Sequence, residues 1–279
     1  MAKLKTPLRY PGGKSRVVDA ILERFPDHFL EFREPFVGGG SVFLAVRQKF
    51  PSIPVWINDL NTDLIAFWTT LQTDVTALTF ELRKVRETEK DGSVLFERLR
   101  SSFEHKLSDF ERAVRFFVLN RITFSGTVDS GGYSQQSFDG RFTASSIDRL
   151  EMIAPLLSGV KITNLDYGKL IKATGKDVFV FLDPPYYSAT KSRLYGKNGN
   201  LHTGFNHLEF SQTMRGCQHL WLITYDDCTE IRQQFQFAEL EDFSVQYGMN
   251  NYMQEKAARG AELFISKLPL YTAQASLFG

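Results

Sequence analysis

The residues best placed to do chemistry are Asp183-Pro184-Pro185-Tyr186. They follow Val178-Phe179-Val180-Phe181-Leu182, a run of β-branched and aromatic residues with the length of a buried strand. Two prolines stop the strand and force an extended turn. The turn thus holds a carboxylate, rigid carbonyls and an aromatic ring at the carboxyl end of a strand, the edge of an open α/β sheet where ligands sit. That set suits recognition and alkylation of a planar amino group. Asp183 and the Pro184 carbonyl would accept its two N–H bonds, and Tyr186 would stack on its ring. An ordinary Pro-rich turn is the alternative for the tetrapeptide taken alone.

Three further strand ends carry polar groups. Phe36-Val37-Gly38-Gly39-Gly40-Ser41 joins a strand to a helix, and its glycines let the backbone turn tightly against a ligand. Gly38 and Gly40 fit a G-x-G-x-x-G dinucleotide loop, but Phe43 replaces the third glycine. Glu34 beside the loop would repel phosphate and attract a cation, such as an amino-acid ammonium or a sulfonium. A purely structural turn is the alternative. Asp59 lies 19 residues beyond Gly40, where a carboxylate can hold two ribose hydroxyls, or else cap a helix. Asp166 could accept an exocyclic amine with Tyr167 packed on the same ring, or could be a cap. Tyr10-Pro11-Gly12-Gly13-Lys14 is a turn that presents an aromatic and a lysine able to pair with a carboxylate; a solvated loop is the alternative.

The elements that must position these groups alternate. Glu31–Val37 reads as a strand, Ser41 to about Phe50 as a helix, Pro54–Asp59 as a strand, with a helix from about Thr62. Residues 71–120 are helix-periodic with no strand, and 123–146 read as loops or a hairpin. The alternation resumes at Val160–Thr163, Val178–Asp183, a helix after Asn206, and His219–Tyr225. Phe243–Tyr247 and Ala261–Leu268 could pair antiparallel at the sheet edge. We therefore expect an α/β fold: a Rossmann-like sheet domain over 1–61 and 160–279, with a mainly helical insert over 62–159.

The 279 residues are 43% apolar and 23% charged, as in a soluble globular protein. No run approaches the ~18 apolar residues of a membrane span, and the amino terminus lacks the apolar core of a secretory signal. Cys217 and Cys228 read as reduced thiols, which favours the cytoplasm. No metal-type cluster is apparent. Net charge is only +1, but residues 1–18 and 184–208 carry basic residues and no acid. Such runs give local positive potential toward phosphates, or simply a solvated face.

Taken in order, Tyr10-Pro-Gly-Gly-Lys14, Glu34-Pro-Phe-Val-Gly-Gly-Gly-Ser41, Asn58-Asp59, Asp166-Tyr167 and Asp183-Pro-Pro-Tyr186 resemble the Dam-type (D12, alpha-order) DNA adenine-N6 methyltransferases. The resemblance spans the chain. It implies an S-adenosylmethionine-dependent methyltransferase sheet whose insert recognises the target. It implies a cofactor site from Tyr10, Pro11, Lys14, Glu34, Phe36, Gly38, Gly40, Ser41, Asp59, Asp166, Tyr167 and Asp183. Asp183, Pro184, Pro185 and Tyr186 would hold an adenine flipped out of double-stranded DNA, since the duplex buries the target. Aspartate is a weak base toward a neutral amine, so the proton is expected to leave during or after methyl transfer. Arg9, Asn120, Arg121, Tyr133 and Arg141 are the expected DNA contacts, with Lys191, Arg193 and Lys197 of an acid-free loop expected to be mobile. Arg112 and Arg115 are further candidates, or lie on a solvated helix face. Leu119-Asn120-Arg121 matches the GATC-methylating members, but the stretch from Ile122 to Tyr133 lacks their Arg-Tyr-Asn, so GATC is not implied.

Further expectations are a monomer in the nucleoid and a possible companion restriction endonuclease. The rivals are methylation of RNA adenine, cytosine N4 or a protein amide, a nicotinamide-dependent oxidoreductase, and a DNA-binding module without catalysis.

Overall fold

A computed structural model of the chain describes residues 3–102, 106–128, 131–188, 204–246 and 259–267. Seven strands form one sheet: β1 Glu31–Glu34, β2 Val55–Asn58, β3 Lys161–Thr163, β4 Val178–Leu182, β5 Leu220–Asp226, β6 Glu239–Gln246 and β7 Arg259–Ser266. Their order is β3-β2-β1-β4-β5-β7-β6. β1 to β5 are mutually parallel, and β7 runs antiparallel between β5 and β6. The expected antiparallel pair is therefore present, with β6 as the edge. Chain order reverses between β1 and β4, so the crevice of this sheet opens at their carboxyl ends.

The all-apolar strand β4 is buried on both faces. Phe179 and Phe181 point into one core with Phe32, Leu222 and Phe264, while Val178, Val180 and Leu182 point into another with Ile223, Tyr225 and Leu263. This alternation is the two-residue period of a strand sandwiched between helical layers.

Helix α1 is Val18–Leu22, and α2, Ser41–Lys49, follows the glycine loop. Between β2 and β3 come α3 Thr62–Thr73, α4 Val75–Thr88, α5 Gly92–Ser101, α6 Asp109–Ile122, α7 Gln135–Arg141 and α8 Ala144–Ile153. Helix α7 and the first turn of α8 lie where loops or a hairpin were expected. Of the hairpin only an isolated bridge, Thr123 to Tyr133, exists among the described residues. The polar residues read as loop are helix caps: Ser134 accepts from Ser137 N–H, and Thr143 forms a capping box with Ser146. The intervening helices share one continuous core with the sheet, in which Trp68, Phe116 and Ile147 join Phe43 and Ile57. Helix α9 is Tyr167–Lys172, and α10, His207–Arg215, is capped by Asn206 accepting from Glu209 N–H. No described helix is long and apolar enough to cross a membrane.

Arg112 and Arg115 occupy neither of their expected settings. Both reach from α6 to Asp63 in the first turn of α3, Arg112 Nη1 at 2.8 Å and Arg115 Nη2 in a second ion pair. Arg115 is buried. Replacing Asp63 with alanine takes a carboxylate away from a buried guanidinium, and urea denaturation of Asp63→Ala is expected to show a loss of about 3 kcal/mol or more.

Candidate active site

A cavity of about 610 Å³ opens at the carboxyl ends of β1, β2, β4 and β5. It is lined by the Tyr10–Lys14 turn, the Glu34–Val42 segment, Asn58 to Leu60, Leu165 to Tyr167 and Asp183 to Tyr186, so the sheet brings all five motifs together.

The amino-terminal turn closes over the glycine loop. Tyr10 O accepts from Gly13 N–H at 3.0 Å, and the Tyr10 ring lies where a Cβ on Gly38 would stand 2.8 Å from Cε1. Gly40 has φ of +72°, and a Cβ there would meet Phe43 at 2.4 Å and Trp68 at 2.7 Å. Phe43, in place of the third glycine of a dinucleotide loop, is thus a wall of the loop rather than a defect. Ser41, first in α2, faces Ser15 with the two hydroxyls 2.8 Å apart.

Lys14 reaches under the turn to Asp183. Its Nζ is 2.9 Å from Oδ1 and donates to Gly12 O at 3.0 Å. Thr224 Oγ1 donates to the same Asp183 oxygen at 2.8 Å. Lys14 Nζ also sits 4.9 Å from the Tyr186 ring centroid, and that ring stacks on Tyr225. Pro184 is buried, and Pro185 and Tyr186 are half-buried.

Asp59 is not the cap of α3; Asn61 is, accepting from Asp63 and Leu64 N–H. Asp59 instead accepts from Gly38 N–H and Asn61 N–H, each at 3.0 Å, which ties β2 to the glycine loop. Burial pushes its carboxyl up to about 6, although these backbone N–H groups oppose the rise. Asp166 does cap α9, through Gly168 N–H at 2.8 Å, and lines the cavity as well. Phe36, Tyr167 and Phe205 form an aromatic cluster beside it, with centroids 5.4 to 5.8 Å apart. Glu34 is almost fully buried; burial and then the nearby Asp183 push its carboxyl well above the usual range, and its Oε2 has no partner.

Three lining carboxylates, Glu209, Asp226 and Glu262, escape the sequence reading. Asp226, at the end of β5, accepts from the backbone N–H groups of Tyr187 at 2.9 Å and Ser188 at 2.6 Å. Glu262 lies opposite it on β7, buried, with neither carboxylate oxygen hydrogen-bonded. The available signal was a glutamate inside a strand, immediately before the apolar run Leu263-Phe264-Ile265. Among the lining residues the acids are Glu34, Asp59, Asp166, Asp183, Glu209, Asp226 and Glu262, against Lys14 as the one cation. Such a cavity disfavours pyrophosphate and favours a cation.

The expected DNA contacts divide. Arg9, Arg121 and Arg141 come together, with Arg149. Burial and then the charges of Arg9, Arg149 and Arg141 push buried Arg121 down to about 9. Asn120 is fully buried. Its side chain accepts from Arg9 N–H at 3.0 Å and donates to Arg9 O and Gly126 O at 2.7 and 3.1 Å, so here it fastens backbone and offers nothing to solvent. Half-buried Tyr133 packs against Phe96 and donates to Gln135. Phe124, which the sequence reading passed over, is 64% exposed on the turn before Gly126. Lys191, Arg193 and Lys197 lie outside the described residues.

The strand order, the glycine loop under an aromatic turn and the Asp-Pro-Pro-Tyr edge thus meet at one cavity. The D12 class N6 adenine-specific DNA methyltransferase profile matches residues 10–249, and the chain belongs to that family. Its relatives include the Type II methyltransferase M.MjaIII of Methanocaldococcus jannaschii, 28% identical over 208 residues, covering 68% of this chain and 72% of the relative. The Type II methyltransferase M1.LlaDCHI of Lactococcus lactis subsp. cremoris is 28% identical over 219 residues, 75% and 74% of the two chains. The DNA adenine methylase of Salmonella typhi is 27% identical over 259 residues, 90% and 91%. The protein is a DNA adenine-N6 methyltransferase.

The raised carboxyls have a consequence for stability. Asp59 rises from an ordinary 3.8 to about 6, so between those values the folded chain holds a proton that the unfolded chain has released. Stability therefore falls as pH rises through that window. In thermal melts without ligand, the loss of melting temperature that Asp59 contributes between about pH 4 and 6 is expected to be absent in Asp59→Asn.

Proposed function

We propose that the cavity binds S-adenosylmethionine and that the enzyme methylates N6 of an adenine flipped out of double-stranded DNA. The observation that carries this is the acid-lined cavity with the unpartnered Glu34 Oε2 beside the glycine loop. Its donor set fits a ligand bearing an ammonium and a sulfonium and does not fit the pyrophosphate of a nicotinamide dinucleotide. Glu34 would take the ammonium, Asp59 the ribose hydroxyls, and Asp166 the adenine amine, with Phe36, Leu165 and Tyr167 walling the ring. When bound, the cofactor supplies a methyl group activated by positive charge on sulfur. Lys14 has a positioning role: it holds Asp183 Oδ1, leaving Oδ2 and the Pro184 carbonyl to accept the two N–H bonds of the target amine. Those acceptors draw the nitrogen lone pair out of conjugation and stabilise the charge it gains. Tyr186 offers its ring to the target base.

Arg9, Arg121 and Arg141 form the proposed phosphate contact, because clustered guanidiniums with no ion pair to an acid among the described residues are relieved by an anion. Phe124 is an exposed aromatic on the same turn system, suited to stacking against bases. The segment 62–159 would then serve as the target-recognition unit. The Type II names of two relatives support a companion restriction endonuclease. A monomer acting in the nucleoid is the simplest arrangement for a one-base reaction.

S-adenosylmethionine, and not NAD, is expected to raise the melting temperature. Unmethylated genomic DNA should then acquire N6-methyladenine within one short motif, mapped by single-molecule sequencing. Asp183→Ala is expected to cut the rate roughly 100-fold or more while the protein stays folded. Stabilisation by NAD alone, or no methylated base with cofactor binding intact, would overturn the reading. Arg141→Ala is expected to weaken DNA binding and to lower the slope of log affinity against log salt by about 1.

A further inference from the structure

Methyl transfer leaves the adenine amino nitrogen with one proton too many inside a closed pocket. Asp183 is the nearest acceptor by motif, but its Oδ1 already receives Lys14 and Thr224. A second carboxylate stands behind it. Glu262 enters the same cavity from β7, is 2% exposed, and has no hydrogen bond on either oxygen. The buried Tyr186 hydroxyl is the donor beside it.

The groups that face Glu262 come from each neighbouring element. Lys14 comes from the amino-terminal turn, Asp183 and Tyr186 from the turn after β4, and Asp226 from the opposite position on β5; its β6 register partner is Phe243. One cation shared among three carboxylates leaves Glu262 under-compensated. A buried carboxylate in that position is a stronger base than an exposed one.

We propose that Glu262 is the proton-holding residue of the target pocket, acting through Asp183 on the methylated nitrogen. It is thus a positioning residue rather than a catalytic one. As an anion it offsets the charge that develops on N6. An N–H bond of the methylated amine then breaks, its electron pair stays on nitrogen, and the proton passes by way of Asp183 to a Glu262 oxygen. Water takes the proton after the product leaves. The inference rests on the methyltransfer reading above. Burial first, with Asp183 and Asp226 adding to it, pushes the Glu262 carboxyl up to about 7, in range to exchange a proton at neutral pH.

The test is single-turnover methylation of unmethylated genomic DNA by the full chain with S-adenosylmethionine, between pH 5.5 and 9. The parent enzyme is expected to gain rate through a limb near neutrality. Glu262→Gln should lose that limb and run about tenfold or more below the parent plateau. Glu262→Asp, which keeps the acid, should retain a limb. A second readout needs no activity: without ligand, the parent should lose melting temperature as pH rises from about 5 to 7, and Glu262→Gln should lose less. A Glu262→Gln enzyme with the parent's rate and limb overturns the proposal. So does a uniform loss of rate with the limb intact, which is a structural effect. Should Glu262→Gln fail to melt cooperatively, Glu262→Asp decides: absence of a limb in that folded variant overturns the proposal. If the parent itself methylates no adenine, the failure belongs to the methyltransfer reading instead.

Discussion

The Lys14–Asp183 ion pair is the contact on which the site depends. It joins the amino-terminal turn to the end of β4 across the point where the sheet reverses its strand order. Asp183 sits in a cavity whose other charged walls are carboxylates, so without an ammonium nearby the repulsion among Glu34, Asp183, Asp226 and Glu262 would be uncompensated. Lys14 is almost fully buried, and the desolvation of its charge is offset by Asp183, the Gly12 carbonyl and the face of Tyr186. The same pairing, with Thr224, fixes Asp183 Oδ1.

That pair also explains why the amino-terminal segment is strapped down so thoroughly. Thr6 donates to Gly39 O, the Tyr10 ring covers Gly38 and Gly39, and Asn120 clamps both backbone groups of Arg9. Residues 6–14 therefore run from the glycine loop, past the arginine cluster, to the Asp183 carboxylate. The helical segment between β2 and β3 and the sheet edge are coupled through this one stretch of chain. A shift of Asn120 on α6 would be felt at Arg9, five residues before Lys14.

The fold alone does not decide the chemistry, because doubly wound sheets hold many ligands at this edge. The charge of the lining does more. A phosphate-binding loop places backbone N–H groups toward an anion; here the N–H of Gly38 is taken by Asp59 and a buried glutamate stands beside the loop. The same glycines thus serve close packing under Tyr10 and next to Phe43, and the cavity accommodates positive charge. Membership in the adenine methyltransferase family and the acid-lined cavity are independent observations that agree.

The sequence by itself determined the central strands, because β2, β4 and β5 are short, largely apolar runs that end at Asp59, Asp183 and Asp226, and it showed the five motifs as short runs of Gly, Pro, acid and aromatic residues, four of them at strand ends. It also placed the antiparallel tail. It misread residues 135–141 and 144–146, where Ser and Thr caps look like loop until the helices they start are seen. What only the tertiary structure decided are the partnerships. Lys14 meets Asp183 across 169 positions of chain, Arg115 meets Asp63 rather than solvent or DNA, and Asn120 turns inward to Arg9. Glu262 joins the pocket only because β7 inserts antiparallel beside β5. A local pattern specifies which residues end a strand, since backbone sterics and hydrophobic period act over a few residues. Which charges face one another is settled by sheet order and register, and those emerge only when the whole core closes.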